Sequence, residues 1–311
     1  MSKPKKLAML YLKGMAMGAA DVVPGVSGGT IAFITGIYEE LIENIKSIGP
    51  GTVSILAKEG VTSAWRSFNG TFLLILFLGI GTSIFSLAKL ITGLLQTHPI
   101  PLWSFFFGLI LVSSWYVAMQ IPKWTTGSFV SLLVGAGIAF GITQAAPASV
   151  EPTHLITFIA GSIAICAMIL PGVSGSFILL IFGLYTHILT AVKTLQFEVL
   201  SVFMLGCIVG LMGFSRFLAW MLKRYHELTL ALLTGFMLGS LNKVWPWKQT
   251  LSYRVNSHGE QVPLIQENLS PFNFEQVVGA DPQLLLSVVL AAGAVIIVLV
   301  MESVAKNENA G

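Results

Sequence analysis

Charged side chains are scarce in this chain. Only 10% of its 311 residues are Asp, Glu, Lys or Arg, whereas a soluble domain typically has about 25%. Hydrophobic residues make up 55%, and the mean hydropathy is +0.83. This composition excludes a soluble globular domain and predicts an integral membrane protein. The net charge of +3 is small, so we expect no nucleic-acid partner.

Cysteine, metal-ligand clusters and nucleotide-binding motifs are also few or missing. The two cysteines, Cys166 and Cys207, lie in apolar runs, which indicates buried thiols and argues against a disulfide framework. The five histidines have no metal-ligand spacing, so we expect neither a metal nor a cofactor. The chain has no Walker motif and no clustered His, Arg and Asp set suited to a phosphoenzyme. We therefore do not expect an enzyme.

What the chain does have is a repeated motif. The letters Pro-Gly-Val-Ser-Gly occur at Pro24–Gly28 and again at Pro171–Gly175, 147 residues apart. Each copy interrupts apolar sequence, where lipid offers no hydrogen-bond partner for freed backbone groups. A membrane segment broken twice by the same residues indicates a functional site. The alternative is a pair of tight helix crossings, which Gly and Ser also permit.

The two motif copies belong to a longer internal repeat. Val22–Thr30 aligns with Ile169–Phe177, and a second block aligns Lys89 with Arg216 at a shift of 127 residues. A full membrane crossing needs about 20 residues, and the two segments around each motif are shorter and interrupted. Ten apolar segments, five in each half, span roughly residues 7–23, 27–45, 71–95, 102–121, 128–146, 155–170, 174–192, 199–222, 228–245 and 284–303.

These segments predict an all-α polytopic membrane protein of two inverted-topology repeats, residues 1–147 and 148–311. Each repeat has one re-entrant helical hairpin with the motif at its tip and three transmembrane helices. An odd number of crossings per repeat inverts the second half relative to the first. Lys and Arg are concentrated in the loops on the side of the N-terminus, which places that terminus in the cytoplasm. A polar loop at about 246–283 is then extracytoplasmic.

The motif tips are the candidate binding site. After each break, the first backbone N–H groups of the next half-helix lack intrahelical partners and face the positive end of the helix dipole, which favours an anion. Inversion brings the two tips in from opposite faces, so we expect them to meet near the midplane. The candidate phosphate-binding residues at the tips are Gly25, Ser27, Gly28, Gly29, Thr30, Gly172, Ser174, Gly175 and Ser176.

Two aligned cations, Lys89 and Arg216, lie within long apolar segments. An intramembrane cation is energetically costly and indicates function by default. The alternative is snorkelling, because each lies near the end of its segment. Their alignment favours function, and we expect each to meet a phosphate that enters from its own face.

Three further groups are candidates for a coupling proton or charge. Asp21 precedes the first break and aligns with Met168. It could pair with a cation, relay a proton or cap the helix locally. Glu39 lies beyond the first break, and His187 lies at a similar place in the second half. Either could carry a proton near neutral pH if its environment shifts its pKa.

Gly18–Thr30, followed by Gly36-Ile-Tyr38, and Leu170–Phe177 in the second half resemble one bacterial family. This is the polyprenyl-phosphate transporter family, formerly a membrane domain family of unknown function. The resemblance covers nearly the whole chain. It implies that the substrate is undecaprenyl phosphate, the lipid carrier of cell-wall synthesis. The implied task is to return this carrier from the outer to the cytoplasmic leaflet of the inner membrane.

The resemblance and the residues favour the same mechanism. The tips hold the phosphate, the prenyl tail stays in lipid, and the site opens alternately to the two faces. The partners implied are the polyprenyl-phosphate lipid, membrane lipids and a coupling proton or cation; the identity of that ion and homo-oligomerisation stay open. A transporter of a small soluble anion that uses the same tips is the alternative.

Overall fold

The computed structural model describes residues 3–23, 25–145, 148, 150–255 and 261–309. Pro24 of the first motif, the predicted repeat boundary at residue 147 and the two chain ends (1–2 and 310–311) lie outside the described residues.

The described chain is mostly helical. The helices of the first half are α1 (Lys3–Asp21), α2 (Gly28–Ile34), α3 (Tyr38–Ser47), α4 (Pro50–Glu59), α5 (Val61–Ser67), α6 (Gly70–Thr97), α7 (Pro99–Met119) and α8 (Thr126–Gln144). The elements of the second half are α9 (His154–Ile169), α10 (Gly175–Ile181), α11 (Tyr185–Lys193), α12 (Phe197–Arg224), α13 (His226–Ser240), β1 (Lys248–Val255), β2 (Gln261–Asn268), α14 (Pro271–Val278) and α15 (Leu284–Asn309).

Four helices among the described residues are long and apolar enough to cross a membrane, namely α6, α7, α8 and α12. The pair α10 and α11, bent by 111°, makes a fifth if it counts as one span. The chain is therefore a multi-pass membrane protein. The sequence predicts six full spans, but α13 ends at Ser240 after 15 residues, a length of about 22 Å, and the apolar part of α15, Leu284–Val300, is also short among the described residues.

Glycines let the long helices pack closely. Gly14 and Gly18 of α1 face Leu76 and Ile80 of α6 in the same order along both helices, so α1 and α6 run parallel. A Cβ added at Gly18 would lie 2.5 Å from the carbonyl oxygen of Ile80, so only Gly permits this approach.

The same arrangement recurs in the second half. Gly206 and Gly210 of α12 face Phe158 and Ser162 of α9, again in the same order. A Cβ at Gly210 would lie 2.5 Å from the carbonyl oxygen of Ser162. The pair α9 and α12 therefore corresponds to the pair α1 and α6 in both direction and contact chemistry.

The remaining long helices pack across the halves. Helix α8 packs against α13, and α7 packs against α15. Close approach again depends on glycine, since a Cβ at Gly108 of α7 would lie 2.5 Å from the carbonyl oxygen of Ala291 on α15. The helices that follow α6 therefore find their partners among those that follow α12.

Local structure repeats in the two halves as well. Helices α2 and α10 each have 7 residues, and α6 and α12 each have 28. The aligned glycines of the breaks, Gly25 and Gly172, have φ of +90° and +84°. A second aligned pair, Gly36 and Gly183, ends α2 and α10 with φ of +70° and +71°. These positive φ angles explain why Gly occupies all four turns.

The prediction of an all-helical chain is wrong for the polar loop at 246–283. Strands β1 and β2 pair antiparallel there, and α14 follows them. Tryptophans hold this segment in place: Trp245 Nε1 donates to the carbonyl oxygen of Leu269 at 2.8 Å, and Trp247 Nε1 donates to that of Pro282 at 2.8 Å. Trp247 also packs with Ile100 of α7, so the hairpin is attached to the start of α7.

Candidate functional site

In the first break, nearby side chains cap the N-terminal N–H groups of α2. Ser27 is extended, with φ −122° and ψ 132°, and its hydroxyl accepts a hydrogen bond from the Gly29 N–H at 3.1 Å. Asp21, the last residue of α1, accepts from the Gly28 N–H through Oδ1 at 2.7 Å. Of the three roles considered for Asp21, the structure therefore has the local cap. The chain's own carboxylate occupies the place where the sequence predicts a phosphate.

The second break has no such side-chain caps among the described residues. Met168 stands at the position of Asp21, and Ser174 caps no backbone N–H of α10 among the described residues. Instead, the hydroxyl oxygens of Ser174 and Ser176 lie 3.0 Å apart and share a hydrogen bond. The two breaks thus have the same turn but different polar groups available for a ligand.

The structure brings the two breaks into direct contact. The hydroxyl of Ser27 lies 3.1 Å from the carbonyl oxygen of Leu170 and 3.3 Å from that of Met168, and it can donate to either. The Gly172 N–H donates to Thr30 Oγ1 at 3.1 Å. Ser27 and Thr30 are buried. Both hydroxyls of the first break are therefore engaged in joining it to the second.

Glycines of the motif serve close packing at this junction. A Cβ at Gly29 would lie 2.6 Å from the carbonyl oxygen of Ile169, and one at Gly28 would lie 2.6 Å from Asp21 Oδ2. A Cβ at Gly175 would lie 2.5 Å from the carbonyl oxygen of Ala164. The tight-crossing alternative for the motif thus describes Gly29 and Gly175, which approach the backbone of α9, whereas Gly28 leaves room for the Asp21 cap.

The end of α13 is the surface against which both breaks pack. A Cβ at Gly172 would lie 2.8 Å from the carbonyl oxygen of Phe236, and one at Gly25 would lie 2.6 Å from Cγ of Lys243. The Lys243 side chain then reaches the second break, where its Nζ lies 4.3 Å from the centroid of the Phe177 ring. A cation–π contact thus places a positive charge beside the first turn of α10.

Sequence reasoning did not single out Lys243. It aligns with Tyr116 rather than with another cation, so the repeat gives no signal for it. The one sequence feature that could have indicated Lys243 is local. Lys243 and Lys248 flank Trp245 and Trp247 at the end of an apolar segment. Lys248 Nζ donates to the carbonyl oxygen of Lys243.

The cations that were predicted lie elsewhere. Lys89 lies in the last third of α6, and its side chain is exposed. Arg216 donates to the carbonyl oxygens of Met212 at 2.6 Å and Ile48 at 3.0 Å. Arg216 therefore joins α12 to the end of α3, and the alignment-based phosphate role of both cations stays a prediction.

Two of the three coupling candidates lie away from the junction. Glu39 is exposed at the start of α3, and its Oε1 lies 3.9 Å from Nδ1 of His226. His187 lies on α11, and its Nε2 is buried without a hydrogen-bond partner among the described residues. Of the three candidates, Asp21 is the one with a hydrogen bond to a break among the described residues.

Comparison with known proteins identifies the chain at two levels. Residues 17–262 match the undecaprenyl phosphate translocase-like family, described as VCA0040-like. A protein of Vibrio cholerae serotype O1 named polyprenyl-phosphate transporter is 57% identical over 296 residues, which cover 95% of this chain and 96% of that protein. No solved structure shows a significant match.

A more distant relative gives the same assignment. A polyprenyl-phosphate transporter of Staphylococcus aureus is 36% identical over 253 residues, which cover 76% of this chain and 85% of that protein. The apolar helices define the class, a multi-pass membrane protein. Within that class, the chain belongs to the undecaprenyl phosphate translocase-like family, as the motif resemblance predicts.

Proposed function

We propose that this protein moves undecaprenyl phosphate across the bacterial inner membrane, from the outer to the cytoplasmic leaflet. The names of the two relatives support a lipid-phosphate substrate. The single structural observation that carries the site is the direct contact between the two breaks, at Ser27 with Leu170 and at Thr30 with Gly172. No observation favours a small soluble anion over the lipid.

The junction suits a phosphate headgroup for physical reasons. A phosphomonoester carries about −1.5 to −2 charges at neutral pH, and hydrocarbon offers nothing to replace its hydration. At the junction, the hydroxyls of Ser174 and Ser176 bond to each other, and within the described residues neither bonds to the first break. We place the headgroup at this second break, and the prenyl tail remains among the surrounding lipids.

The tail has apolar surface beside the breaks. Given the register of α9 with α12, Phe217 and Trp220 are roughly level with the second break, and they are 51% and 52% exposed. On α6, Phe85 is 92% exposed near the level of the first break. Such outward aromatic side chains let an isoprenoid chain remain in contact with protein and lipid while its phosphate is enclosed.

Alternating access would follow from two inverted repeats with re-entrant hairpins. The packing of α8 and α13 supports inversion. Gly127 faces Leu228 and Gly135 faces Leu232, so these helices run parallel. If consecutive helices reverse direction, as the one-residue links at His98 and Tyr225 suggest, then α6 and α12 run in opposite directions. The cytoplasmic N-terminus rests on the distribution of Lys and Arg.

A transport assay tests the proposal. The full chain is reconstituted in vesicles with fluorescent undecaprenyl phosphate, and the lipid left in the outer leaflet is measured by a membrane-impermeant quencher. We expect the protein to accelerate exchange between leaflets, whereas the matched undecaprenol probe should exchange at the same rate with and without protein. Equal rates for empty and protein-containing vesicles with the phosphate probe would refute the function.

The direction of transport needs a cellular assay. In cells depleted of the protein, undecaprenyl phosphate should accumulate on the outer surface, where an impermeant phosphate-binding reagent detects it. Restoration by the wild-type chain is the control. A normal surface level in depleted cells would contradict inward transport.

A further inference from the structure

Two lysine side chains near the second break have aromatic rings beside them but no acidic partner in the part of the chain that the structure describes. Lys243 Nζ lies 4.3 Å from the centroid of the Phe177 ring, and Lys248 Nζ lies 4.7 Å from that of Trp103. Among the described residues, no carboxylate oxygen lies within 4.0 Å of either nitrogen. Half-buried ammonium groups normally have such a partner.

The two lysines belong to one unit. Lys248 Nζ donates to the carbonyl oxygen of Lys243, which ties the start of β1 to the end of α13. Burial, and after it the charge of Lys243, holds the pKa of Lys248 well below its ordinary range. Among the described residues no carboxylate compensates either lysine, and an anion near both would offset their repulsion and favour their charged forms.

Their positions connect the outer segment with the breaks. The stem of Lys243 lies against Gly25 of the first break, and its ammonium reaches Phe177 in the first turn of α10. Lys248 lies over Trp103 of α7, on the side where the β-hairpin is attached. The pair thus extends from the hairpin segment to the second break.

We infer that Lys243 and Lys248 form a binding site for a phosphate monoester, in which Lys243 contacts the ligand beside the second break. Ammonium groups bind phosphate as point charges with several donors. The Phe177 and Trp103 rings hold these charges when no anion is bound. Insofar as the ligand is a prenyl-phosphate headgroup, the inference rests on the proposed function; inorganic phosphate presents the same chemistry.

Ligand binding to the purified full chain in detergent tests the site. The probes are farnesyl phosphate, farnesol and inorganic phosphate, and calorimetry measures their affinities. We expect Lys243→Gln to weaken farnesyl phosphate binding by about tenfold or more, and Lys248→Gln to weaken it by less. Lys243→Arg should keep most of the affinity, because the charge remains. Lys58→Gln, which removes an exposed cation from α4, should bind as the wild type does.

Chemical protection tests the same site without any substitution, in case a variant does not fold. Lys243 and Lys248 of the wild-type chain are acetylated and quantified by mass spectrometry. Farnesyl phosphate should slow acetylation of both, whereas farnesol should not, and Lys58 should react equally in all samples. Equal acetylation of the pair with and without farnesyl phosphate would overturn the inference.

The results separate the inference from the proposed function. If farnesyl phosphate binds wild type and both glutamine variants equally, the lysine site is refuted while the function stands. If both variants lose inorganic phosphate binding and the wild type gains nothing from the farnesyl chain, the lysine site stands and the lipid substrate is refuted. If farnesol binds as tightly as farnesyl phosphate, the chain does not recognise phosphate and the site is refuted.

Discussion

The two breaks share five residues and the same glycine turn, yet their polar groups are used differently. In the first break, Asp21 caps Gly28, and the hydroxyls of Ser27 and Thr30 bond within the protein. In the second, Ser174 and Ser176 bond to each other. The repeated motif therefore specifies a backbone conformation, and the residues around it decide which copy has groups free to bind.

This difference suits the two copies of the motif to different roles. The first break carries its own anion and two cross-links, so it is suited to holding the junction together. The second has no acidic residue at the position of Asp21 and has Lys243 beside its first helical turn. A phosphate would meet repulsion from Asp21 at the first break and attraction from Lys243 at the second.

Of the substitutions considered, Gly172→Ala should lower stability and transport the most. Its φ is +84°, and the added Cβ would lie 2.8 Å from the carbonyl oxygen of Phe236. Left-handed strain and overpacking together predict a loss of about 2–5 kcal/mol in the free energy of unfolding, with transport abolished. Thermal unfolding in detergent measures the first effect. Gly213→Ala, where a Cβ meets nothing within 4 Å, is the control; equal unfolding temperatures for both would contradict the packing of this break.

The hydroxyls allow function and stability to be separated. We expect the double substitution Ser174→Ala and Ser176→Ala to lower transport about tenfold, since two hydrogen bonds to the substrate are lost, with little change in unfolding temperature. Ser27→Ala should instead lower the free energy of unfolding by about 1 kcal/mol, because its hydroxyl bonds across the junction. The reverse pattern, with Ser27→Ala impairing transport alone, would move the substrate to the first break.

Asp21 can be tested with two matched substitutions. Asp21→Ala removes the cap on Gly28 and should lower the free energy of unfolding by about 1–2 kcal/mol. Asp21→Asn keeps an acceptor oxygen but not the charge, so we expect it to retain most of that stability and to keep transport. A stable Asp21→Asn variant without transport would instead assign Asp21 to proton or charge coupling.

Substitution of the two aligned cations should change stability and transport the least. Arg216→Gln loses donors to Ile48, which should lower the free energy of unfolding by about 1 kcal/mol, since this charged hydrogen bond is partly exposed. Lys89→Gln should change neither stability nor transport, because the side chain is exposed. Transport lost in either variant at unchanged unfolding temperature would support the phosphate role that their alignment predicts.

The sequence was informative where the physics is local or repeated. Pro-Gly in apolar sequence predicts a broken helix, and both breaks have glycine at positive φ. The repeat alignment predicts that the breaks meet, as Ser27 and Leu170 do. The alignment could not choose among the three roles of Asp21, because the cap depends on how the chain folds back over the intervening turn.

Long-range placement was beyond the sequence. Lys243 reaches the breaks only because the chain at the end of α13 lies beside Gly25 and Gly172. Neither a sequence motif nor an aligned cation predicts that position. The β-hairpin was missed for a related reason: its strands are polar, and their attachment depends on Trp245 and Trp247 bonding to residues much later in the chain.

The packing of first-half helices against second-half helices has a consequence for synthesis and membrane insertion. Helices α7 and α8 pack mainly against α15 and α13, which begin 185 and 100 residues after them along the chain and are synthesised correspondingly later. The first half therefore enters the membrane with two helices whose principal neighbours do not yet exist. Assembly of the bundle is completed only when the last helix has been inserted, so a truncated chain leaves both halves unfinished.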